Sequence, residues 1–232
     1  GSIISKNLLQ LTIMKVFLDT NILIAVINNN IQLPPDHNYV TFEKCVYEIK
    51  NGYKSRMFNP EFLTKLISHD IETDISTLDP IDSRLLNLFV PIVLKNNYSD
   101  KQIIELKKAI KKNSLKFEFG LANEYEFIDN THNDTIGLFK NLIKKLKAAL
   151  RGILREIDLK MEVLGIRELL YEEVFFLNCD FLSFREILSE SLINSKDLEI
   201  VYAALNDDCR LFISSDYALI KECLTLGLNH TI

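Results

Sequence analysis

The chain contains no tryptophan, and only 7 glycines and 5 prolines among 232 residues. So few turn-formers argue against a sandwich of many short strands and favour long helices. No apolar run approaches the ~20 residues of a membrane-spanning helix. The longest candidate, LLNLFVPIVL (85–94), is broken by Asn87 and Pro91, so no membrane partner is expected. The four cysteines (Cys45, Cys179, Cys209, Cys223) form no CxxC pair, and the four histidines (His37, His69, His132, His230) show neither HxxxH nor HxH spacing. A structural zinc site, a disulfide framework and histidine-based catalysis therefore lack support. Reduced, mostly buried thiols in a cytoplasmic protein are the expectation. The leading Gly1-Ser2 reads as an expression remnant, and no cleavable signal pattern follows it.

The chain is 47% hydrophobic and 25% charged, enough for a substantial core in one domain or one domain with a large insertion. Its net charge of −5 argues against a generic nucleic-acid binder. The charge is unevenly spread. Residues 95–160 carry 14 Lys/Arg against 9 Asp/Glu, while the remainder carries 13 against 23. An acidic body thus flanks a basic middle, although lysine-rich helix faces are commonly just solvated.

Val16–Leu18, between turn-forming residues, suits a parallel strand buried on both faces. NILIAVINN (21–29) reads as a helix from about Asn21. TFEKCVYEIKNG (41–52) reads as a second, capped by Thr41, with Phe42, Cys45 and Ile49 inward and Gly52 at its end. The C-terminal stretch predicts a helix over about 196–205, a turn at Asn206–Asp208, a strand at Leu211–Ile213 and a helix over Tyr217–Leu226. That alternation marks an α/β parallel sheet. The middle is helical: 99–113 is amphipathic, and 135–170 is apolar at Leu138, Leu142, Leu146, Leu150 and Ile153/Leu154. Gly137, Gly152 and Gly165 mark breaks in it. The expected organisation is an α/β body from 1–60 and 171–232, interrupted by a mostly helical, Lys-rich insertion over 61–170.

Two apolar strands each run into an aspartate: KVFLDTN (15–21) into Asp19, and LFISSD (211–216) into Asp216. A turn or a cap explains either alone, but ligands of open parallel sheets bind beyond the carboxyl ends of the strands. Two helical acids can join them. Asp197 sits in a first turn, where the helix dipole favours it and Asn194-x-x-Asp197 resembles a capping box. Glu48 falls in the expected last turn of its helix, where the dipole opposes it, with Lys44 offering slight compensation. Carboxylates 4 Å apart repel by roughly 4 kcal/mol at an effective dielectric of 20. Convergence thus requires protonation or a divalent cation, and an all-oxygen set suits Mg²⁺ or Mn²⁺.

The succession LDTN, YEIK, DLEIVYAAL and LFISSD resembles the PIN-domain nucleases. The resemblance covers about the first 50 and the last 60 residues. It implies a PIN-like parallel sheet flanked by helices, and a divalent-metal-dependent endoribonuclease. Asp19, Glu48, Asp197 and Asp216 would be the catalytic, metal-holding acids, with Asn21 and Ser214 as polar support. The gap between Glu48 and Asp197 exceeds that of compact family members, and Asp79 and Asp82 remain substitutes for Glu48, with Glu199 a weaker one for Asp197 because at i+2 it points away. On this view RNA is the substrate, and Lys107, Lys108, Lys111, Lys112, Lys144, Lys145 and Lys147 supply phosphate contacts.

Two other readings stay open. One is a non-catalytic PIN-like module whose insertion binds RNA or a protein. The other is phosphatase chemistry of the haloacid-dehalogenase type, although Asp19-Thr20-Asn21 lacks the second acid of its DxD motif. A homodimer and an antitoxin are further partners the sequence leaves open.

Overall fold

The computed structural model describes residues 13–68, 79–114, 116, 125–128, 130–175 and 195–225. Strands β1 (Lys15–Leu18), β2 (Asn38–Phe42), β3 (Arg167–Leu169) and β4 (Leu211–Ile213) form one sheet in the order β3-β2-β1-β4, every pair parallel. The helices are α1 (Thr20–Ile27), α2 (Glu43–Met57), α3 (Pro60–Ser68), α4 (Pro80–Asn96), α5 (Asp100–Lys112), α6 (Asn133–Val163), α7 (Tyr171–Phe175), α8 (Ser195–Asn206) and α9 (Tyr217–Thr225). The protein is therefore α/β, a parallel sheet flanked by helices. None of the described helices is long and apolar enough to cross a membrane. Residues 176–194 and 226–232 lie outside the described residues, and with them Cys179, Asn194 and the expected end of the last helix at Leu226.

The chain divides into two compact units. The first comprises Gly1–Val46 and Met161–Ile232, and the second Tyr47–Lys160.

In the first unit β1 is central, pairing Phe17 with Val40 on one side and Phe212 on the other. Val16, Phe17 and Leu18 are buried, as expected of a strand covered on both faces. The Phe17 and Phe212 rings stack at 5.3 Å across the β1–β4 pair. The Asp19 N–H donates to the Ile213 carbonyl (3.0 Å), and the Arg210 N–H to that of Lys15 (2.9 Å), so both ends of β4 are pinned to β1.

Two strands depart from the sequence expectation. Thr41 and Phe42 end β2 instead of opening a helix. The buried Thr41 hydroxyl donates to the Leu18 carbonyl at 2.9 Å, which ties the strands together. β3 lies within the stretch expected to be helical as far as residue 170. Gly165 takes a left-handed conformation (φ 66°) just after α6, which a glycine adopts without steric cost, and the chain turns into β3.

The second unit is helical. α2 does not stop at Gly52: a Cβ there would stand 2.7 Å from Ile81 Cδ1, so the glycine admits the close approach of α4. Glu48 consequently lies in the second turn of α2, not the last, and the dipole objection to it disappears. Asp79 caps α4, its Oδ1 accepting from the Ile81 N–H at 2.8 Å, and Asp82 pairs with Arg56 at 3.0 Å. Ser99 and Gln102 form a capping box on α5. α6 runs uninterrupted through Gly137 and Gly152. It buries Phe139, Leu142, Leu146, Leu150 and Ile153, with Leu138 and Leu154 half-buried at the margin.

Candidate functional site

The sheet order places a topological switch between β1 and β4. From β1 the chain moves to β2 and β3 on one side, then returns to β4 on the other. Ligands of open α/β sheets bind beyond the carboxyl ends of the strands at such a switch. Asp19 follows β1 there, and Ser214 and Asp216 follow β4.

Asp19 is 6% exposed. Its Oδ1 accepts from the Thr20 N–H at 2.7 Å, and its Oδ2 from the Ser214 hydroxyl at 2.5 Å. An ordinary N-cap side chain accepts from the second or third helical amide. Asp19 instead bonds to the first amide and reaches to the neighbouring strand's terminus. Asp216 is exposed and does cap its helix: Oδ1 accepts from the Ala218 and Leu219 amides at 3.0 and 3.1 Å. Its own N–H donates to Ser214 Oγ at 3.0 Å. The Ser214 hydroxyl is thus the bridge, donating to one strand-end aspartate and accepting from the backbone of the other.

Asp197 is half-buried in the first turn of α8. Its neighbourhood is visible through Cys223, whose thiol is pushed up to about 11 by burial first, then by the charges of Glu222, Asp197 and Asp19. Burial likewise raises Cys45 to about 12. The Asp19 charge adds to this, while hydrogen bonding to Thr20, Thr41 and the Phe42 backbone pulls it back. Two buried thiols thus lie within the field of Asp19. A thiol held above its ordinary 9.0 stays neutral in the fold and ionises in the unfolded chain. The unfolded state then binds fewer protons, so stability falls as pH rises from about 9 towards the folded values. Each of the two should remove roughly 1.4 kcal/mol per pH unit in that window. Urea midpoints at pH 8 and pH 10 measure this, and Cys45→Ala should flatten the fall.

Lys44 at the start of α2 reaches across to α8. It makes a short ion pair with Glu199, linking α2 to α8. This engages Glu199 and was not legible in sequence, the partners being 155 positions apart. Asn21 is exposed in the first turn of α1. Glu48 is half-buried on α2 and belongs to the second unit, two residues past the division. Asp79 and Asp82 also belong to that unit. Among the described residues no group of three or more His, Cys, Asp or Glu is arranged to hold a metal ion.

Of the lysines, Lys108, Lys111, Lys112, Lys144 and Lys145 are exposed and Lys107 and Lys147 half-buried, all in the second unit. Lys112 donates to the Phe127 carbonyl (3.1 Å), and Lys145 to Asn96 Oδ1 (3.5 Å).

Comparison with known proteins finds no matching family model, no matching characterised protein and no matching solved structure.

Proposed function

We propose that the β1–β4 edge is a hydrolytic site for RNA phosphodiesters. A divalent cation, Mg²⁺ or Mn²⁺, would be held there by Asp19 and Asp216, with Asp197 of the same unit completing the acidic set. The observation that carries the reading is the Asp19–Ser214–Asp216 linkage at the topological switch. A carboxylate this buried is costly unless its charge is used or matched. A capping role would be met as well by Asn or Ser.

The residues suit such an ion in donor chemistry, since hard cations take oxygen ligands. Mg²⁺ in particular is held by one or two carboxylates with waters and substrate phosphate, so a dedicated protein trio is not required. When bound, the ion would supply activation of water and stabilisation of charge at phosphorus. The chain's own contribution is orientation. Ser214 fixes Asp19 Oδ2. Asp216 takes both helix amides on Oδ1, and its Oδ2 has no partner among the described residues. Asn21 and Asp197 are the polar groups that would border the substrate. The choice of RNA and a PIN-like fold rest on the sequence resemblance.

A quenched fluorescent single-stranded RNA tests the reading. Cleavage should require Mn²⁺ or Mg²⁺, stop with EDTA and fall at least ~100-fold in Asp216→Asn. Metal-independent cleavage would refute it. A second reading, a non-catalytic PIN-like module that binds RNA or a protein, is favoured by one observation: Asp216 fully serves as a helix cap. In that case Asp216→Asn, which still caps α9 through its amide oxygen, would leave both stability and RNA or protein binding as in the wild type.

A further inference from the structure

We propose that the exposed face of α6 is a docking track for the phosphate backbone of single-stranded RNA. The choice of RNA is shared with the proposed function, but the track does not depend on any chemistry at Asp19. Residues 140–155 contain six basic side chains and no Asp or Glu. Five of them, Lys140, Lys144, Lys147, Arg151 and Arg155, recur at steps of four, three, four and four, which stacks them on one helix face. α6 is helical without interruption across them, so the row spans roughly 22 Å at 1.5 Å per residue. Lys140, Lys144, Arg151 and Arg155 are exposed, and none makes an ion pair or hydrogen bond among the described residues. Lys145 lies off the row, against Asn96.

Four exposed cations in a regular row, Lys140, Lys144, Arg151 and Arg155, suit a polyanion of regular spacing. Three observations select among polyanionic partners. The apolar face of α6, including Phe139, Leu142 and Leu146, is buried, so no hydrophobic face remains to enter a lipid interface. The row carries no aromatic or methionine anchor of the kind that centres a protein interface. Its flank includes the exposed small residues Gly137, Ala148 and Gly152, and a Cβ at either glycine would meet nothing within 4 Å. A backbone ribbon can approach such a low-relief surface closely. Cations about 6 Å apart along the axis, at one per helical turn, match a strand presenting one phosphate per nucleotide.

The test is fluorescence anisotropy of a labelled 20-nucleotide oligouridylate with the full chain in EDTA, where divalent-dependent cleavage is silent. Four phosphate contacts on a single strand predict a slope of log K against log salt of about −2.8, or roughly 50-fold weaker binding at 200 mM than at 50 mM. Arg151→Gln with Arg155→Gln should halve the slope to about −1.4 and weaken binding at 50 mM by about tenfold or more. Lys140→Gln with Lys144→Gln should do the same, and it stands in should the arginine pair fail to fold by circular dichroism. Lys95→Gln, an exposed site on α4, should leave the slope unchanged. An unchanged slope in both double variants overturns the proposal. So does binding to phosphatidylserine vesicles that the double variants abolish while RNA binding persists. Because cleavage is not read here, loss of the track and loss of the Asp19 chemistry remain separable: Asp19→Asn should bind this RNA as the wild type does.

Discussion

Exchange of Asp19 for Asn is expected to lower Mn²⁺-dependent cleavage of RNA by about 10³-fold, equivalent to ~4 kcal/mol of transition-state stabilisation. The substitution is nearly isosteric. An amide oxygen can still accept from the Ser214 hydroxyl or the Thr20 N–H, two bonds that hold the side chain. Folding should therefore survive, and removing a buried charge offsets part of a lost bond, so the thermal midpoint should move by only a few degrees. Activity and stability are thereby uncoupled. The contrast is Ser214→Ala, which leaves Asp19 Oδ2 without the hydroxyl and should destabilise by about 1–3 kcal/mol while lowering activity less. Parallel cleavage assays and urea titrations of both variants check the ordering. Equal, modest losses in both would make Asp19 a structural residue.

Phe17→Ala carries the largest expected effect on stability. Phe17 is fully buried in the central strand and stacked on Phe212 at 5.3 Å. Truncation removes the burial and leaves a cavity, at a cost of about 3–5 kcal/mol, with ~1 kcal/mol of that from the lost ring pair. The same stacking holds β4 beside β1, where Asp19 and Ser214 meet. Equilibrium unfolding should show the full cost, and Phe17→Leu, which keeps most of the apolar volume, should recover more than half. A loss under ~1 kcal/mol would mean that β1 and β4 are held by their backbone ladder alone.

Much of this organisation is legible in the residues. Val16–Leu18 and Leu211–Ile213 are short apolar runs closed by turn-formers, so their strands, and the aspartates that follow, stand out. β2 is hidden because Phe42 passes directly into Glu43 with no turn residue between strand and helix, and Thr41 has the chemistry of a cap. β3 has three residues, too few for any period to register, and it follows a helix whose glycines suggested breaks in the wrong places. In α6 backbone hydrogen bonding and a buried apolar stripe outweigh Gly137 and Gly152, and only Gly165 ends the run. At the site the acids are readable but their connection is not. Ser214 and Asp19 are 195 positions apart, and only the parallel pairing of β1 with β4 brings them together. The lysine-dense stretches, Lys107 to Lys112 and Lys144 to Lys147, stand out in the sequence. The more regular row through Lys140, Arg151 and Arg155 was available from its helical period.

The most direct measurement is titration of Mn²⁺ into the full chain, followed by the loss of the free-ion paramagnetic resonance signal and repeated with Asp19→Asn. The account predicts saturable binding in the wild type and affinity at least ~10-fold weaker in the variant. Wild-type and variant isotherms that coincide, or a wild type that binds no ion, would contradict it.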